Sequence, residues 1–462
     1  MTVRPLTLSD AAAAFGGTLL YPDCRFRRVS TDTRRLRPGE LFVALRGARF
    51  DAHDFLAQAA DLACGLVVER ADKRLLLPQW VVPDSALALG QLAILARDQF
   101  SGPVIGITGS SGKTTVKEMT AAILRGLGPV LASRGNLNNN IGLPLTLLAA
   151  EPEQRHAVLE MGASAGGEIA YLAGIARPTI AVVTNVLPAH VQGFGSLAGV
   201  ARGKGELYQA LGPRGTAVFN LDLEGRWLEL WRASLPCLET LSFALANPAA
   251  DVTAADLRLD QGGCASFVLR APAGEVPVSL QLPGRHNVAN ALAAAACALA
   301  AGAGLEAVAA GLRAVLPAPG RMQVRAGRGG ARLIDDSYNA NPGSVKAAIE
   351  VLADRPGRRV LVLGDMAELG ADAAALHREV GAYAAARGVD RLYACGPLSR
   401  LAAAAFGAGA AEFATRAELA AALGAELDGA TTVLVKGSRA AGMEEVVRLL
   451  EAGSAGHAAV AD

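Results

Sequence analysis

The sequence predicts an α/β fold of three domains, in which the second and third domains have parallel β-sheets. Apolar, β-branched runs alternate with helical patterns along much of the chain, as expected of parallel strands joined by helices. Pro- and Gly-containing segments at 101–103 and 316–320 break this alternation. The length of 462 residues suits about three domains of ~150 residues each. We place the domains at 1–83, 84–316 and 317–462.

The composition excludes several classes of protein. Charged residues make up 19% and the net charge is +1, so no bulk charge favours a nucleic-acid or membrane partner. No apolar run has the length of a membrane span, and Met1–Leu20 lacks the pattern of a secretory signal. We therefore expect a cytoplasmic protein. Separately, we expect a monomer. The six cysteines, which form no CxxC pair and favour free thiols over disulfides or a zinc site, are Cys24, Cys64, Cys237, Cys264, Cys297 and Cys395.

The first domain has a small α/β pattern. Strands are predicted at 41–45 and 65–68, and helices at 8–15 and 54–62. Two polar clusters, Ser30-Thr31-Asp32-Thr33-Arg34 and Asp51-Ala52-His53-Asp54-Phe55, are typical of turns and helix caps, and Asp51 or Asp54 suits an N-cap. From the residues alone, a structural role is favoured over a functional one.

The second domain begins with the most informative segment of the chain. A strand at 104–108 leads into the loop Thr108-Gly109-Ser110-Ser111-Gly112-Lys113-Thr114-Thr115, and a helical pattern follows at 116–127. This context is typical of a phosphate loop, in which Lys113 reaches the β/γ-phosphates and Thr114 binds Mg²⁺. Ile107 occupies the position where the common motif has its first glycine. An ordinary tight turn is the alternative, and the nucleotide site is favoured.

Polar residues follow the other predicted strands of this domain, at 156–161, 179–184 and 216–220. Because ligands bind beyond the carboxyl ends of parallel strands, Glu160 and His190 are candidate metal ligands beside the phosphate loop. The alternatives are a helix cap for Glu160 and a surface position for His190, and metal roles are favoured. Asn185, Asn220 and Asp222 follow strands in the same way.

Two further segments are less specific. The asparagine-rich loop at 136–142, with Asn138 and Asn139, fits an ordinary turn and a site for a polar ligand equally well. The helix that begins near 285 has His286, Asn287 and Asn290 in its first turn, more polar groups than capping needs. The chain uses arginine for most of its positive charge, which draws attention to its lysines: Lys73, Lys113, Lys117, Lys204, Lys346 and Lys436.

A β-rich insert, with strands predicted at 266–270 and 276–282, precedes that helix. The third domain has predicted strands at 360–363, 392–395 and 432–435. Its polar strand ends are Asp335-Asp336-Ser337-Tyr338-Asn339-Ala340-Asn341-Pro342, Gly364-Asp365-Met366 and Lys436-Gly437-Ser438-Arg439. Because it lacks a phosphate loop, we expect this domain to close over the site of the second.

In order and spacing, these motifs resemble those of the Mur ligases, the ATP-dependent amide-forming enzymes of peptidoglycan precursor synthesis. The resemblance implies an N-terminal UDP-binding domain, a central ATPase domain with the phosphate loop, and a C-terminal Rossmann-like ligase domain. The segments at 335–342, 363–370 and 435–439 resemble the branch that adds D-alanyl-D-alanine to UDP-N-acetylmuramoyl-tripeptide. An acyl phosphate formed from ATP is the implied intermediate.

The resemblance also implies roles for individual residues. Catalytic roles fall to Lys113, Lys204, His190 and Arg321. Two Mg²⁺ ions are implied, one held by Thr114 and Glu160 and one by His190 and a carbamylated Lys204. The implied ATP contacts are Gly109, Ser110, Ser111, Gly112, Lys113, Thr114, Thr115, Asn287 at adenine, Arg321 at the γ-phosphate and Asp336 at the ribose. The implied UDP-substrate contacts are Ser30, Thr31, Asp32, Arg34, Asn138 and Asn139.

Two alternatives remain open on the sequence. One is another amide ligase of the same superfamily, which adds a single amino acid or adds glutamates to folate. The other is a phosphate-loop protein that binds a nucleotide as a switch without catalysis, and which has no need of His190 or Lys204.

Overall fold

The computed structural model describes residues 4–47, 50–236 and 239–453, so Cys237 lies outside the described residues. The five cysteines within these ranges carry free thiols. The three-domain α/β prediction is confirmed, with one main β-sheet in each domain. Within the described ranges, no helix combines the length and the apolar character that crossing a bilayer requires.

The N-terminal domain is a five-stranded sheet of order β2-β7-β6-β5-β4, in which β2 is antiparallel to its neighbour, with a separate β1–β3 ribbon. Its strands are β1 Leu6–Thr7, β2 Thr18–Leu20, β3 Arg25–Phe26, β4 Val29–Ser30, β5 Leu41–Val43, β6 Gly65–Val68 and β7 Gln79–Val81. Its helices are α1 Leu8–Phe15 and α2 Leu56–Ala60. The helix predicted at 54–62 is instead a 3₁₀ turn at Ala52–Phe55 followed by α2, because the Asp51 side chain caps this turn by accepting from the His53 backbone N–H.

The middle domain has an all-parallel six-stranded sheet of order β13-β12-β11-β8-β10-β9. Its strands are β8 Val104–Thr108, β9 Val130–Ala132, β10 His156–Glu160, β11 Ile180–Val183, β12 Thr216–Asn220 and β13 Glu239–Phe243, and the predicted β-rich insert is an antiparallel sheet of β14 Thr253–Leu259, β15 Cys264–Ala271 and β16 Gly274–Pro283. The helices are α3 Ser85–Asp98, α4 Lys113–Arg125, α5 Gly142–Leu148, α6 Glu168–Ala176, α7 Val191–Phe194, α8 Leu197–Gln209, α9 Gly225–Arg232, α10 Arg285–Ala300 and α11 Leu305–Ala314.

Both faces of this sheet are covered, which explains why its central strand is apolar throughout. Val104 on one face packs in a cluster with residues of α3, α6 and α8. Ile105 and Ile107 on the other face pack with residues of α4, α10 and α11. The chain moves from β10 to β11 across β8, so the carboxyl end of β8 lies at the point where the strand order reverses. Crevices of this kind are where open α/β sheets bind their ligands.

The C-terminal domain has a six-stranded sheet of order β17-β18-β22-β19-β20-β21, parallel except for the edge strand β17. Its strands are β17 Gln323–Ala326, β18 Arg332–Asp336, β19 Arg358–Gly364, β20 Arg391–Cys395, β21 Ala410–Phe413 and β22 Thr431–Lys436. Its α-helices are α12 Pro342–Ala353, α13 Ala373–Ala386, α14 Ser399–Phe406, α15 Arg416–Gly424 and α16 Glu444–Leu450, with 3₁₀ turns at Arg328–Gly330, Gly370–Asp372 and Arg439–Ala441.

Tyr208 on α8 holds two strands of the middle sheet together from one buried hydroxyl. The hydroxyl accepts from the Val183 backbone N–H at 3.1 Å and donates to the Val218 carbonyl at 2.7 Å. Tyr208→Phe leaves both backbone groups without that partner, so we expect a loss of about 1–3 kcal/mol in the free energy of unfolding. Denaturant titration measures it, with Tyr21→Phe, at an exposed tyrosine, as the matched control. Equal stability of the two variants would contradict the prediction.

Candidate nucleotide and metal site

A cleft of about 690 Å³ lies between the carboxyl ends of the middle sheet and the C-terminal domain. Residues from both domains line it. The middle domain contributes Ser110, Ser111, Gly112, Lys113, Thr114, Thr115, Asn138, Asn139, Glu160, His190 and Asn287, and the C-terminal domain contributes Arg321, Asp336, Tyr338 and Lys436. Most of the predicted site residues are thus brought together, and the C-terminal domain contacts the phosphate loop through Arg321.

The loop between β8 and α4 has the geometry of an anion cradle. Gly112 is left-handed, with φ +79°, and α4 begins directly after it without a side-chain cap, so its first-turn N–H groups are available. Asn185 fixes the loop: its side chain accepts from the Ser111 N–H at 2.9 Å and donates to the Ser111 carbonyl at 3.0 Å. The loop conformation is therefore supported by hydrogen bonds within the protein itself.

Gly109 is the loop position least tolerant of a side chain. Its φ is +148°, and a Cβ placed there would lie 1.9 Å from Oγ1 of Thr184. We expect Gly109→Ala to cost about 1–3 kcal/mol through strain and to weaken nucleotide binding by roughly tenfold or more. Calorimetric titration with ATP measures this, and Gly174→Ala on α6, where nothing lies within 4 Å of the added Cβ, is the control. Unchanged affinity in Gly109→Ala would refute the steric argument.

A chain of contacts links the loop to both neighbouring elements. The Thr114 hydroxyl donates to Oε2 of Glu160 at 2.8 Å, and the amide of Asn138 donates to Oε1 of the same carboxylate, also at 2.8 Å. From the C-terminal domain, the guanidinium of Arg321 donates to Oγ1 of Thr114 at 2.9 Å. Thr114 is therefore the point at which the loop, a strand end and the third domain meet.

Lys113 points back onto its own loop. Its Nζ donates to the Gly109 carbonyl at 2.8 Å. Burial lowers the pKa of Lys113, and the positive charge of Arg321 lowers it further, while the carboxylate of Glu160 opposes both. Two cations and one carboxylate thus converge on the loop, and this excess of positive charge suits a polyanionic ligand.

Lys204 on α8 is 1% exposed and lies beside the cleft without lining it. Its Nζ lies 5.7 Å from the centroid of the Phe194 ring, and no acceptor among the described residues takes a hydrogen bond from it. Burial lowers the pKa of Lys204 well below its usual range, and the charge of Lys113 adds to the effect. Both effects favour the neutral amine relative to an exposed lysine.

His190 stands at the start of α7 in a left-handed conformation, with φ +54°. Its Nδ1 contacts the carboxylate of Glu368 from the C-terminal domain. Burial lowers the pKa of His190, and the charges of Lys113 and Lys204 also lower it. The carboxylate of Glu368 raises it.

The other end of the cleft is formed by the first turn of α10 and the end of β18. Asn287 is buried, donates to the Pro283 carbonyl at 2.8 Å and accepts from Asn290 at 2.9 Å. Asp336 pairs with Lys436 at 2.5 Å. Asn287 and Asn290, two of the three polar residues in the first turn of α10, therefore hydrogen-bond to each other.

The N-terminal polar cluster lies away from this cleft. Asp32 forms a bidentate ion pair with Arg34, which lowers the pKa of Asp32 to about 2, and Ser30 bonds to the backbone of Asp32. These contacts are those of a self-supporting turn. Thr31 lies in the same turn and is half-buried. Of the asparagine pair, Asn138 contacts Glu160, whereas Asn139 accepts from the Gly142 N–H, at the first residue of α5, at 2.9 Å.

Three residues in or beside the cleft were not assigned roles from the sequence. Glu368 contacts His190, Lys436 pairs with Asp336, and the ring of Tyr338 lies 4.1 Å from the guanidinium of Arg321. All three lie within or beside the C-terminal polar segments that the sequence singled out. Nothing in the local pattern could say which middle-domain residue each one meets.

The donor set suits magnesium bound with a nucleotide better than a metal held by protein alone. Among the residues that the structure describes, no group of three or more His, Cys, Asp or Glu side chains could hold an ion. Mg²⁺ commonly binds through one or two carboxylates together with substrate phosphates. A threonine hydroxyl beside a carboxylate, at the mouth of a phosphate loop, fits that requirement.

Comparison with known proteins gives consistent results. A model of the Mur ligase middle domain matches residues 107–298, and one of the Mur ligase, glutamate ligase domain matches residues 320–439. The UDP-N-acetylmuramoyl-tripeptide–D-alanyl-D-alanine ligase of Escherichia coli K12 is 46% identical over 96% of this chain and 98% of its own.

Two solved structures extend the comparison to the fold. MurF from Acinetobacter baumannii superimposes with a TM-score of 0.89, at 36% identity, over 97% of this chain and 99% of its own. MurF ligase from Thermotoga maritima, solved in complex with ADP, gives a TM-score of 0.82 at 29% identity over 92% and 96% of the two chains.

Proposed function

The chain belongs to the Mur ligase family, and on that premise we propose that it joins D-alanyl-D-alanine to UDP-N-acetylmuramoyl-tripeptide at the expense of ATP. It is an ATP-dependent ligase of peptidoglycan synthesis by its family, and the relatives that match nearly its whole length are named UDP-N-acetylmuramoyl-tripeptide–D-alanyl-D-alanine ligase. The observation that carries the proposal is the contact between Arg321 and Thr114, which brings the third domain onto the phosphate loop.

We propose that the reaction proceeds in two steps. The terminal carboxylate of the tripeptide attacks the γ-phosphorus of ATP, which gives an acyl phosphate and releases ADP. The amine of D-alanyl-D-alanine then attacks the acyl carbon, the amide forms, and phosphate leaves. Such a reaction depends on positioning and on neutralising charge. In this scheme, Lys113 and the loop N–H groups position the β/γ-phosphates and neutralise their charge. Arg321 does the same at the γ-phosphate.

We assign the metal ligands in two sets. Thr114 and Glu160 would hold one Mg²⁺, which neutralises phosphate charge when bound. His190 and a carbamylated Lys204 would hold the second. A carbamate forms when a neutral lysine amine adds CO₂ and loses a proton. The buried Lys204, which lacks a hydrogen-bond acceptor among the described residues, supports this chemistry, and arginine could not perform it.

The remaining assignments concern the substrates. Asn287 would contact adenine and Asp336, held by Lys436, the ribose. Ser30, Thr31, Asp32 and Arg34 would bind the uridine nucleotide. Asn138 and Asn139 would lie toward the UDP-sugar. In this scheme residues 1–83 bind the UDP substrate, 84–316 bind ATP and 317–462 complete the ligase site.

Substrate omission tests the proposal. With ATP, Mg²⁺, UDP-N-acetylmuramoyl-tripeptide and D-alanyl-D-alanine present, we expect phosphate release together with the pentapeptide product, and neither when any one of them is left out. Turnover with a single amino acid, or with folate and glutamate, in place of D-alanyl-D-alanine would favour another ligase of the superfamily. Nucleotide binding without any turnover would favour a switch.

We propose in addition that the enzyme acts as a monomer in the cytoplasm, where ATP and UDP-activated precursors are both available. Light scattering of the purified protein tests the first statement, since a mass near that of one 47.2 kDa chain is expected. Cell fractionation tests the second.

A further inference from the structure

Glu368 lies on the loop after β19 and has no role in the scheme above. Its carboxylate contacts Nδ1 of His190, which precedes α7 in the middle domain. The pair therefore crosses the boundary between two domains. It also connects a proposed metal ligand to a residue that no part of the reaction uses.

The backbone at this contact is unusual on both sides. His190 has φ +54° and Glu368 has φ +62°, a left-handed conformation that costs a non-glycine residue about 1–3 kcal/mol. The two loops also pack closely, because a Cβ on Gly370 would lie 3.7 Å from Cα of Gln192. Strained backbone of this kind persists only where the surrounding structure imposes it, so both side chains of the pair extend from backbone that is held in place.

We propose that Glu368 is a positioning residue that holds His190 in the tautomer and orientation needed to bind the second metal ion. A ring whose Nδ1–H donates to a carboxylate keeps the lone pair of Nε2 for a metal, and such partners of metal-binding histidines raise their basicity. Because Glu368 comes from the C-terminal domain, this metal site is complete only when the two domains meet. The inference rests on the proposed function, which makes His190 a metal ligand.

The competing explanation is an ordinary surface ion pair. The side chain of Glu368 is 52% exposed, and exposed pairs contribute about 0–1 kcal/mol to stability. A pair of that kind leaves metal affinity and the histidine tautomer unchanged when it is removed. The two explanations therefore differ in what they predict for metal binding, not in what they predict for folding.

Manganese titration of the full-length protein with ADP, followed by electron paramagnetic resonance, tests the proposal. In Glu368→Ala and Glu368→Gln we expect the weaker of two Mn²⁺ sites to lose affinity by about 10–100-fold and the other to stay unchanged. Glu368→Asp should restore part of the loss. Glu445→Gln, which removes a carboxylate paired with Arg416 elsewhere in the same domain, is the matched control and should match the wild type.

A second readout follows the ring itself. The chain has six histidines, so ¹⁵N-histidine labelling gives a simple spectrum in which His190→Ala identifies the signal of His190. We expect wild-type His190 to carry its proton on Nδ1, and Glu368→Gln to shift the population toward the other tautomer. An unchanged tautomer together with unchanged Mn²⁺ affinity in Glu368→Ala would overturn the inference.

His190→Ala separates this inference from the function on which it rests. If His190→Ala loses the weaker Mn²⁺ site and Glu368→Ala keeps it, His190 is a ligand and Glu368 does not position it. If His190→Ala keeps both sites, the metal assignment itself is wrong. Loss of both sites in Glu368→Ala, accompanied by a lower Tm, would mean a structural role and would likewise overturn the inference.

Discussion

Replacement of Lys204 by alanine is expected to lower the rate of ligation by about 100-fold or more while leaving the fold intact. Loss of a residue that merely orients a metal ligand typically costs 10–100-fold, so loss of a ligand should reach at least the upper end of that range. Binding of the UDP substrate should change little, because that substrate is proposed to bind mainly through the N-terminal domain. Steady-state phosphate release measures the rate.

The reason for expecting this effect is the contrast between Lys204 and the other buried lysines. Lys117 is fully buried but donates to Glu118 at 2.5 Å and to the Ser133 carbonyl at 2.8 Å. Lys436 is also buried and pairs with Asp336. Lys204 has no such acceptor among the described residues. An ammonium group in that position would be costly to bury, whereas a carbamate that binds a cation would not.

Controls separate the carbamate from simple loss of a lysine. Lys204→Arg keeps the positive charge but cannot add CO₂, so it should be as inactive as Lys204→Ala. Acetate or formate, which can occupy the vacated space as a free carboxylate, should restore part of the activity of Lys204→Ala only. Lys346→Ala, at a surface lysine paired with Glu379, should behave as wild type. Full activity in Lys204→Arg would rule out the carbamate.

Much of the fold follows from local patterns that the sequence displays openly. The strand and helix around Lys113 were predicted because a β-branched run, glycines and a helical period occur in succession. Short strands escaped prediction: β9 has three residues and β13 alternates polar with apolar residues, so neither carries a long apolar run. The ends of some helices also differ from the prediction because of capping. The Asp51 side chain caps a 3₁₀ turn that begins at Ala52, before the predicted helix start at residue 54.

The site was predictable to the extent that its chemistry is carried by motifs. Thr114 lies at the start of the helix that follows β8, and Glu160 ends β10, so both were expected at the carboxyl edge of the same sheet. Their side chains do meet there, at 2.8 Å. Contacts across domains have no such local cause. Nothing near Glu368 in the sequence indicates a contact with His190, and nothing near Arg321 indicates a contact with the hydroxyl of Thr114. The relative placement of two domains depends on their packed surfaces, which no periodic pattern in the sequence reveals.

Arg321 makes the second large prediction. Its guanidinium is the cationic group from the C-terminal domain that hydrogen-bonds to Thr114, and the ring of Tyr338 holds it in place at 4.1 Å. A positioned arginine at a transferring phosphoryl group contributes about 10³-fold or more to the rate. We therefore expect Arg321→Ala to lower kcat by about 1000-fold, with a much smaller effect on the KM for ATP, since Lys113 and the loop N–H groups still bind the nucleotide.

Two comparisons sharpen this prediction. Arg321→Lys keeps the charge but not the planar fork, so it should recover only a small part of the activity if geometry matters. Arg313→Ala, at an exposed arginine in the last turn of α11, controls for loss of positive charge near the same linker. Rapid-quench measurement of acyl-phosphate formation places the defect in the first step, because Arg321 is assigned to the γ-phosphate. A defect confined to the second step, with normal acyl-phosphate formation, would move Arg321 from the phosphoryl group to the incoming amine.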